Sequence, residues 1–224
     1  MTQAMLAGVF LILVPLLFNV VFFLLQRSFG YPDILRKPTD EVLRRFHAGG
    51  TLLVALWYIF LVSALLFIPL VLIVPQVLGQ DRPLFLTFLT AIGLLAGLCQ
   101  ILGIARWPFL VPHLAKQYTA PDTSKGTHDA VVVVFQAFHR YAGVAIGEHL
   151  GYLFTSVWTV LLAIAIAGTS PFPPWIGWIG IVPALGIFVG LFEEAGFRAA
   201  GAINASSYIL WSLWLISIGA ILVF

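Results

Sequence analysis

Charged side chains in this chain are confined to short intervals, and the stretches between them run long and apolar. No Asp, Glu, Lys or Arg occurs in residues 1–26, 47–80, 83–105, 149–192 or 199–224. A helix crosses about 30 Å of hydrocarbon with about 20 largely apolar residues. In lipid, only a helix or a closed barrel satisfies its own backbone. The period-two alternation of barrel strands is absent, so the runs predict helices. The run 149–192 is too long for one crossing at about 1.5 Å per residue. It divides at GTSPFPP, residues 168–174, where Pro171, Pro173 and Pro174 interrupt a helix. The pattern therefore predicts an all-α fold, a polytopic membrane helix bundle forming a single integral membrane domain over residues 1–224. Its six spans lie near 4–26, 51–75, 84–106, 145–168, 175–193 and 202–223. Residues 128–144 form either an interfacial helix before the fourth span or an extension of it. The first span lacks a basic leading segment and a small-residue cleavage site, so it is expected to be retained.

Composition narrows the class further. Hydrophobic residues make up 61% of 224 and charged residues 9%, against about 45–50% and about 25% in soluble proteins. Mean hydropathy is +1.06. Twenty charged side chains cannot cover a soluble surface of this size, which excludes a cytosolic enzyme, a coiled coil, a disordered chain and a nucleic-acid binder. One cysteine, Cys99, excludes an internal disulfide framework and a zinc site built from several thiolates. Sidedness of charge carries more information than its sum of +2. Ten of the eleven basic residues fall at one end of the predicted spans, and only Arg82 falls at the other. Basic residues stay on the cytoplasmic side. The expectation is a multi-pass protein of the bacterial inner (cytoplasmic) membrane with both termini extracytoplasmic. All five histidines and every acidic residue except Asp81 share the cytoplasmic end. The loops are too short to house a soluble catalytic domain, so any chemistry belongs within the bundle or at its rim.

Several constellations at that end are candidates. His139, Gly143, Gly147 and Gly151 recur every four residues, a smooth helical stripe where another helix can approach closely. The stripe is a packing face, within the chain or as a homo-oligomer interface, or it leaves room beside His139 for a flat ligand. Tyr141, Glu148, Tyr152 and Thr155 fall on one face of an α-helix. A carboxylate entering hydrocarbon is costly and should meet a partner or a wet cavity. Glu148 and His149 are then either an interfacial pair reaching for water or a ligand-binding or proton-handling pair. Glu193, Glu194 and Arg198 stand in EEAGFR, where Glu194 and Arg198 have salt-bridge spacing if the helix continues. Arg44, Arg45 and His47 anchor the start of span two or hold an anionic lipid headgroup. Among the polar residues inside the spans (Asn19, Gln100, Asn204, Ser206, Ser207 and Tyr208), most are expected to bond between helices. Asn204 and Tyr208 lie one turn apart at a depth similar to Glu148. Trp107, Trp175 and Trp178 read as an interfacial belt, and Trp211 and Trp214 as packing. No His-x-x-x-His, His-Glu-x-x-His or Glu-x-x-His spacing is present, so neither a metal site nor a cofactor is predicted.

The segments HRYAGVAIGEHLGYLFTSVWTVLLA (139–163), PPWIGWIG (173–180), INASSYILWSLWLISIGAIL (203–222) and RWPFLVP (106–112) resemble a bacterial family of multi-spanning membrane proteins, domain of unknown function 4386. The resemblance implies an integral membrane protein of about this length and brings no catalytic residues with it. Separately, E-E-x-x-x-R at Glu193–Arg198 looks like the motif of glutamate intramembrane proteases related to CAAX-processing enzymes. Their second motif, F-x-x-x-H, occurs at Phe135–His139, but here it precedes the Glu/Arg motif instead of following it.

Three functions stay open on this reading. The first is binding or transport of a lipid or small amphipathic ligand in a polar pocket at the cytoplasmic rim, lined by His139, Glu148, His149, Glu193, Glu194, Arg198, Asn204 and Tyr208. The second is an intramembrane enzyme in which Glu or His activates water. The third is a structural or accessory membrane protein. Membrane lipids are the expected partners, and nucleic acid is not.

Overall fold

A computed structural model describes residues 2–79 and 81–224. Six helical spans are long and apolar enough to cross a membrane: Gln3–Phe29, Thr39–Val77, Pro83–Thr119, Lys125–Ala167, Pro174–Phe192 and Ala200–Val223. No strand occurs among the described residues. The charge-free runs located the spans, and the helices extend beyond them wherever an amphipathic segment continues.

Helix α1 (Gln3–Phe29) starts at Thr2, whose hydroxyl accepts from the Met5 amide at 3.2 Å, and stops at Gly30 in the left-handed conformation. A short 3-10 turn, Asp33–Arg36, leads to α2 (Thr39–Ile73). Gly50 interrupts α2 with φ 55 and ψ −153, a backbone shape open to glycine because it lacks a Cβ. The charged turns 39–49 therefore join the span at an angle. Helix α3 (Pro83–Phe109) gives way at Leu110 to α4 (Val111–Thr119), which buries Val111, Leu114, Ala115 and Tyr118 at helical spacing.

Residues 128–144 extend the fourth span. Helix α5 (Lys125–Phe138), capped by the Ser124 hydroxyl, runs into a π-helical segment, His139–Leu150, and then into α6 (Gly151–Ala167). The Pro-rich break follows, and the fifth span is itself split at Gly180 into α7 (Pro174–Ile179) and α8 (Ile181–Val189). Gly180 has no side chain because the Trp214 indole lies against it. Helix α9 (Ala200–Val223) closes the chain.

Each span packs on its sequence neighbours, and α9 returns to α1, so the six form a closed ring. Gly8 and Gly219 face each other where α1 and α9 cross; a Cβ on either would lie 2.7 Å from the other's carbonyl oxygen. Asn19 ties the same pair by donating to Ser212 at 2.8 Å. One apolar core gathers Leu11, Phe67, Leu89, Trp158, Leu162 and Trp211. A second, at the charged end, gathers Phe29, Phe46, Trp57, Trp107, Leu114 and Phe135. Trp107 belongs to this core and not to an interfacial belt: it is 1% exposed and stacks on Trp57 with centroids 4.5 Å apart. That burial comes from contacts with other helices, which a reading by distance from the span end could not anticipate. Trp175 and Trp178 are exposed, and Trp211 and Trp214 are buried.

Candidate functional site

The charged end of the ring holds a cleft formed by the π segment, the N-terminal turn of α6 and the end of the fifth span. Val144, Glu148, His149, Tyr152, Gly190, Leu191, Glu193 and Glu194 line it. Gly190 fits because the Asn204 amide and the Tyr152 ring occupy the space a side chain would need.

The π segment decides which residues face the cleft. A π turn takes one residue more than an α turn, so positions seven apart across it no longer superpose. Tyr141, placed by α-helical spacing on the Glu148 face, points outward and is 69% exposed. Glu148, Tyr152 and Thr155 turn inward, and Thr155 is fully buried. The wider turn also presses the glycine stripe onto α3 of the same chain. A Cβ on Gly147 would lie 2.9 Å from the Gly103 Cα, and one on Gly143 would lie 2.5 Å from the Arg106 guanidinium. Gly151 faces Cys99 and Gln100. The His139 ring stacks on Phe135 at 5.8 Å.

Arg106 is the residue that sequence reasoning missed. Counted there only as a cation marking the span edge, it is 9% exposed. Its guanidinium donates to the Gly103 carbonyl of its own helix and lies over the Trp107 ring at 5.3 Å. It forms no ion pair among the described residues. The glycines that pack against this part of α3, Gly143 and Gly147, lie 37 and 41 residues further on. Tyr31, from the linker after α1, stands beside the same group, edge-on to Trp57 at 5.2 Å. Burial, with the nearby Glu148 charge adding to it, pushes the Tyr31 phenol up to about 12. Arg106 and Arg36 act on Tyr31 in the opposite sense. Tyr31, Arg106 and Glu148 therefore share one electrostatic neighbourhood. No hydrogen bond or ion pair is made by the Glu148 carboxylate among the described residues.

The EEAGFR segment is not a helical continuation. The helix ends at Phe192, and the chain turns through Gly196 at φ 92. The predicted Glu194–Arg198 pair is consequently absent. Each glutamate instead meets a cation from elsewhere. Glu193 accepts from Arg36 of the linker, with Nε at 3.1 Å, and Glu194 accepts from Arg140 at 2.9 Å. Glu193 raises the Arg36 guanidinium above its usual value by this bond. Arg198 is exposed and lies outside the cleft, without an ion pair among the described residues.

Asn204 is buried and donates to the Ile187 carbonyl at 3.1 Å, bracing α9 on α8. Tyr208 lies deeper, between Phe18, Tyr152 and Trp211. Of the other polar span residues, Gln100 donates to Thr155 at 3.2 Å across α3 and α6, whereas Ser207 bonds back into its own helix. Arg44 and Arg45 are paired to Asp40 and Glu41 one turn earlier, and Arg44 also lies over Tyr118. His47 is exposed nearby. These three stand apart from the cleft. Among the described residues, no three His, Cys, Asp or Glu side chains come together as metal ligands would.

A ring of six membrane-length helices with an ionisable cleft at one end defines the class: a polytopic helical membrane protein. Within that class the family is settled by a match over residues 6–219, nearly the whole chain, to the model described as domain of unknown function 4386. The chain belongs to that family. Comparison with curated proteins and with solved structures returns no match.

Proposed function

We propose that the protein binds or carries a lipid or small amphipathic ligand, whose polar part enters the cleft at Glu148 and whose apolar part lies along the spans. The observation that carries this reading is the state of Glu148. It sits partly buried in a membrane-length helix and makes no bond among the described residues. Arg106, Arg36, Glu193 and Glu194 all lie within electrostatic range of it. An ionisable group at membrane depth is expensive and marks a functional site by default. A ligand donor, or the water it displaces, would complete it. The water-activation reading is less well supported, because Glu193 and Glu194 are already engaged by Arg36 and Arg140.

The basic residues gathered at the same end support a cleft on the cytoplasmic side of a bacterial inner membrane, with both termini outside. Membrane lipids are then both the surroundings and the nearest ligand pool.

Native mass spectrometry of gently extracted protein tests the reading. The wild-type chain should retain an amphipathic adduct, and Glu148→Gln should lose most of it while keeping its thermal stability. An adduct retained equally by the variant, or none on either protein, would refute it.

A further inference from the structure

Three buried side-chain polar atoms among the described residues have no hydrogen-bond partner: Trp57 Nε1, Arg106 Nε and His139 Nδ1. They come from three separate spans, yet they surround one aromatic stack. Trp57 lies flat on Trp107 at 4.5 Å and 10°, and Arg106 lies over Trp107 at 5.3 Å. His139 stacks on Phe135, whose ring meets Trp107 edge-on at 6.4 Å. Buried polar groups are almost always bonded, because an unmade bond forfeits their hydration. Orphaned atoms scattered through a protein would be isolated exceptions. Here every one falls in the same place.

The chemistry of the three is also shared. An indole N–H and a guanidinium N–H can only donate, and an imidazole nitrogen donates when it carries the proton. Arg106 is a cation without a carboxylate partner, nine-tenths buried at the end of a membrane span. Gly143 lies directly against its guanidinium, and beside it the backbones of α3 and the π segment meet at Gly103 and Gly147. An acceptor bearing negative charge satisfies all these demands at once.

We propose that Trp57, Arg106 and His139 form an anion subsite that receives the acidic head, phosphate or carboxylate, of the amphipathic ligand. This inference rests on the Glu148 cleft being a ligand site and specifies the charge of what it takes. Guanidinium recognises phosphate and carboxylate oxygens through paired donors, and the indole N–H supplies a further donor from α2.

The test is a titration of the purified full chain in nonionic detergent, read by native mass spectrometry. The probes are phosphatidylglycerol, phosphatidylcholine and sodium phosphate. Wild-type protein should bind the anionic lipid about tenfold or more tightly than the zwitterionic one, as expected for a charge-assisted bond. Trp57→Phe should cut that preference about threefold, and Arg106→Gln should abolish it. Phosphatidylcholine binding reports whether each variant still folds, and Trp57→Phe carries the test if Arg106→Gln does not. Equal binding of the two lipids to wild type, or a preference undiminished in Trp57→Phe, overturns the subsite. Equal binding that is still weakened by Glu148→Gln would sink the subsite alone and leave the cleft standing. No lipid binding at all would sink both. Sodium phosphate binding as tightly as phosphatidylglycerol, with the same variant sensitivities, would uphold the anion subsite and show its ligand to be a free ion.

Discussion

Replacing Gly147 by alanine would drive a methyl group against the α3 backbone at Gly103, which cannot swing aside as a side chain can. Overpacking of this kind costs about 1–3 kcal/mol. The expected outcome is a lower melting temperature in detergent, checked by a thermal denaturation scan. Gly143→Ala should be milder for stability, because the neighbour there is the end of the Arg106 side chain, which can shift. The two glycines look equivalent in the primary structure, four residues apart in one stripe. What separates them is the residue opposite, and neither Gly103 nor Arg106 is near them in the chain. Arg106 shows the same limit from the other direction. A single arginine at a span end is an ordinary topology marker, and its burial follows only once the π segment has been placed against it.

At the level of elements, the two ion pairs tie the linker after α1 and the start of the π segment to the turn after the fifth span. Arg36 and Glu193 also rest on Gly201 at the start of α9, where a Cβ would lie 3.0 Å from both. Glu193→Arg should place two cations together and loosen the linker, making Tyr31 more accessible. The double exchange Arg36→Glu, Glu193→Arg should restore the contact. An exposed pair contributes about 0.2–1 kcal/mol, so the effect should appear in hydrogen exchange of residues 30–38 and not as global unfolding. A double variant as exchange-prone as the single one would argue against the pair. Helix propensity and charge spacing could suggest that EEAGFR continues a helix; Gly196 supplies the freedom to turn, and the cations on other elements determine where each glutamate goes.

For the whole molecule, six spans close into a ring, and the N-terminal end of α1 meets the C-terminal end of α9 at Gly8 and Gly219, on the side away from the cleft. Reporter fusions at Arg44 and Lys125 are expected to lie in the cytoplasm, and fusions at the two termini outside. The opposite result would move the cleft to the other face of the membrane. The number of spans, their order and the gathering of charge at one end were legible in the sequence, because the cost of burying polar groups in hydrocarbon acts on each segment independently of its neighbours. The site was legible only in part. Glu148 stands out as a carboxylate in an apolar run, and that cost is also a local matter. The identity of its surroundings was decided by the tertiary structure: the π register turning Tyr141 away, Arg106 pressed against Gly143, and the donors of Trp57 and His139 brought to one aromatic stack. The contacts of Arg106, Trp57 and His139 join residues tens of positions apart, and packing selects them.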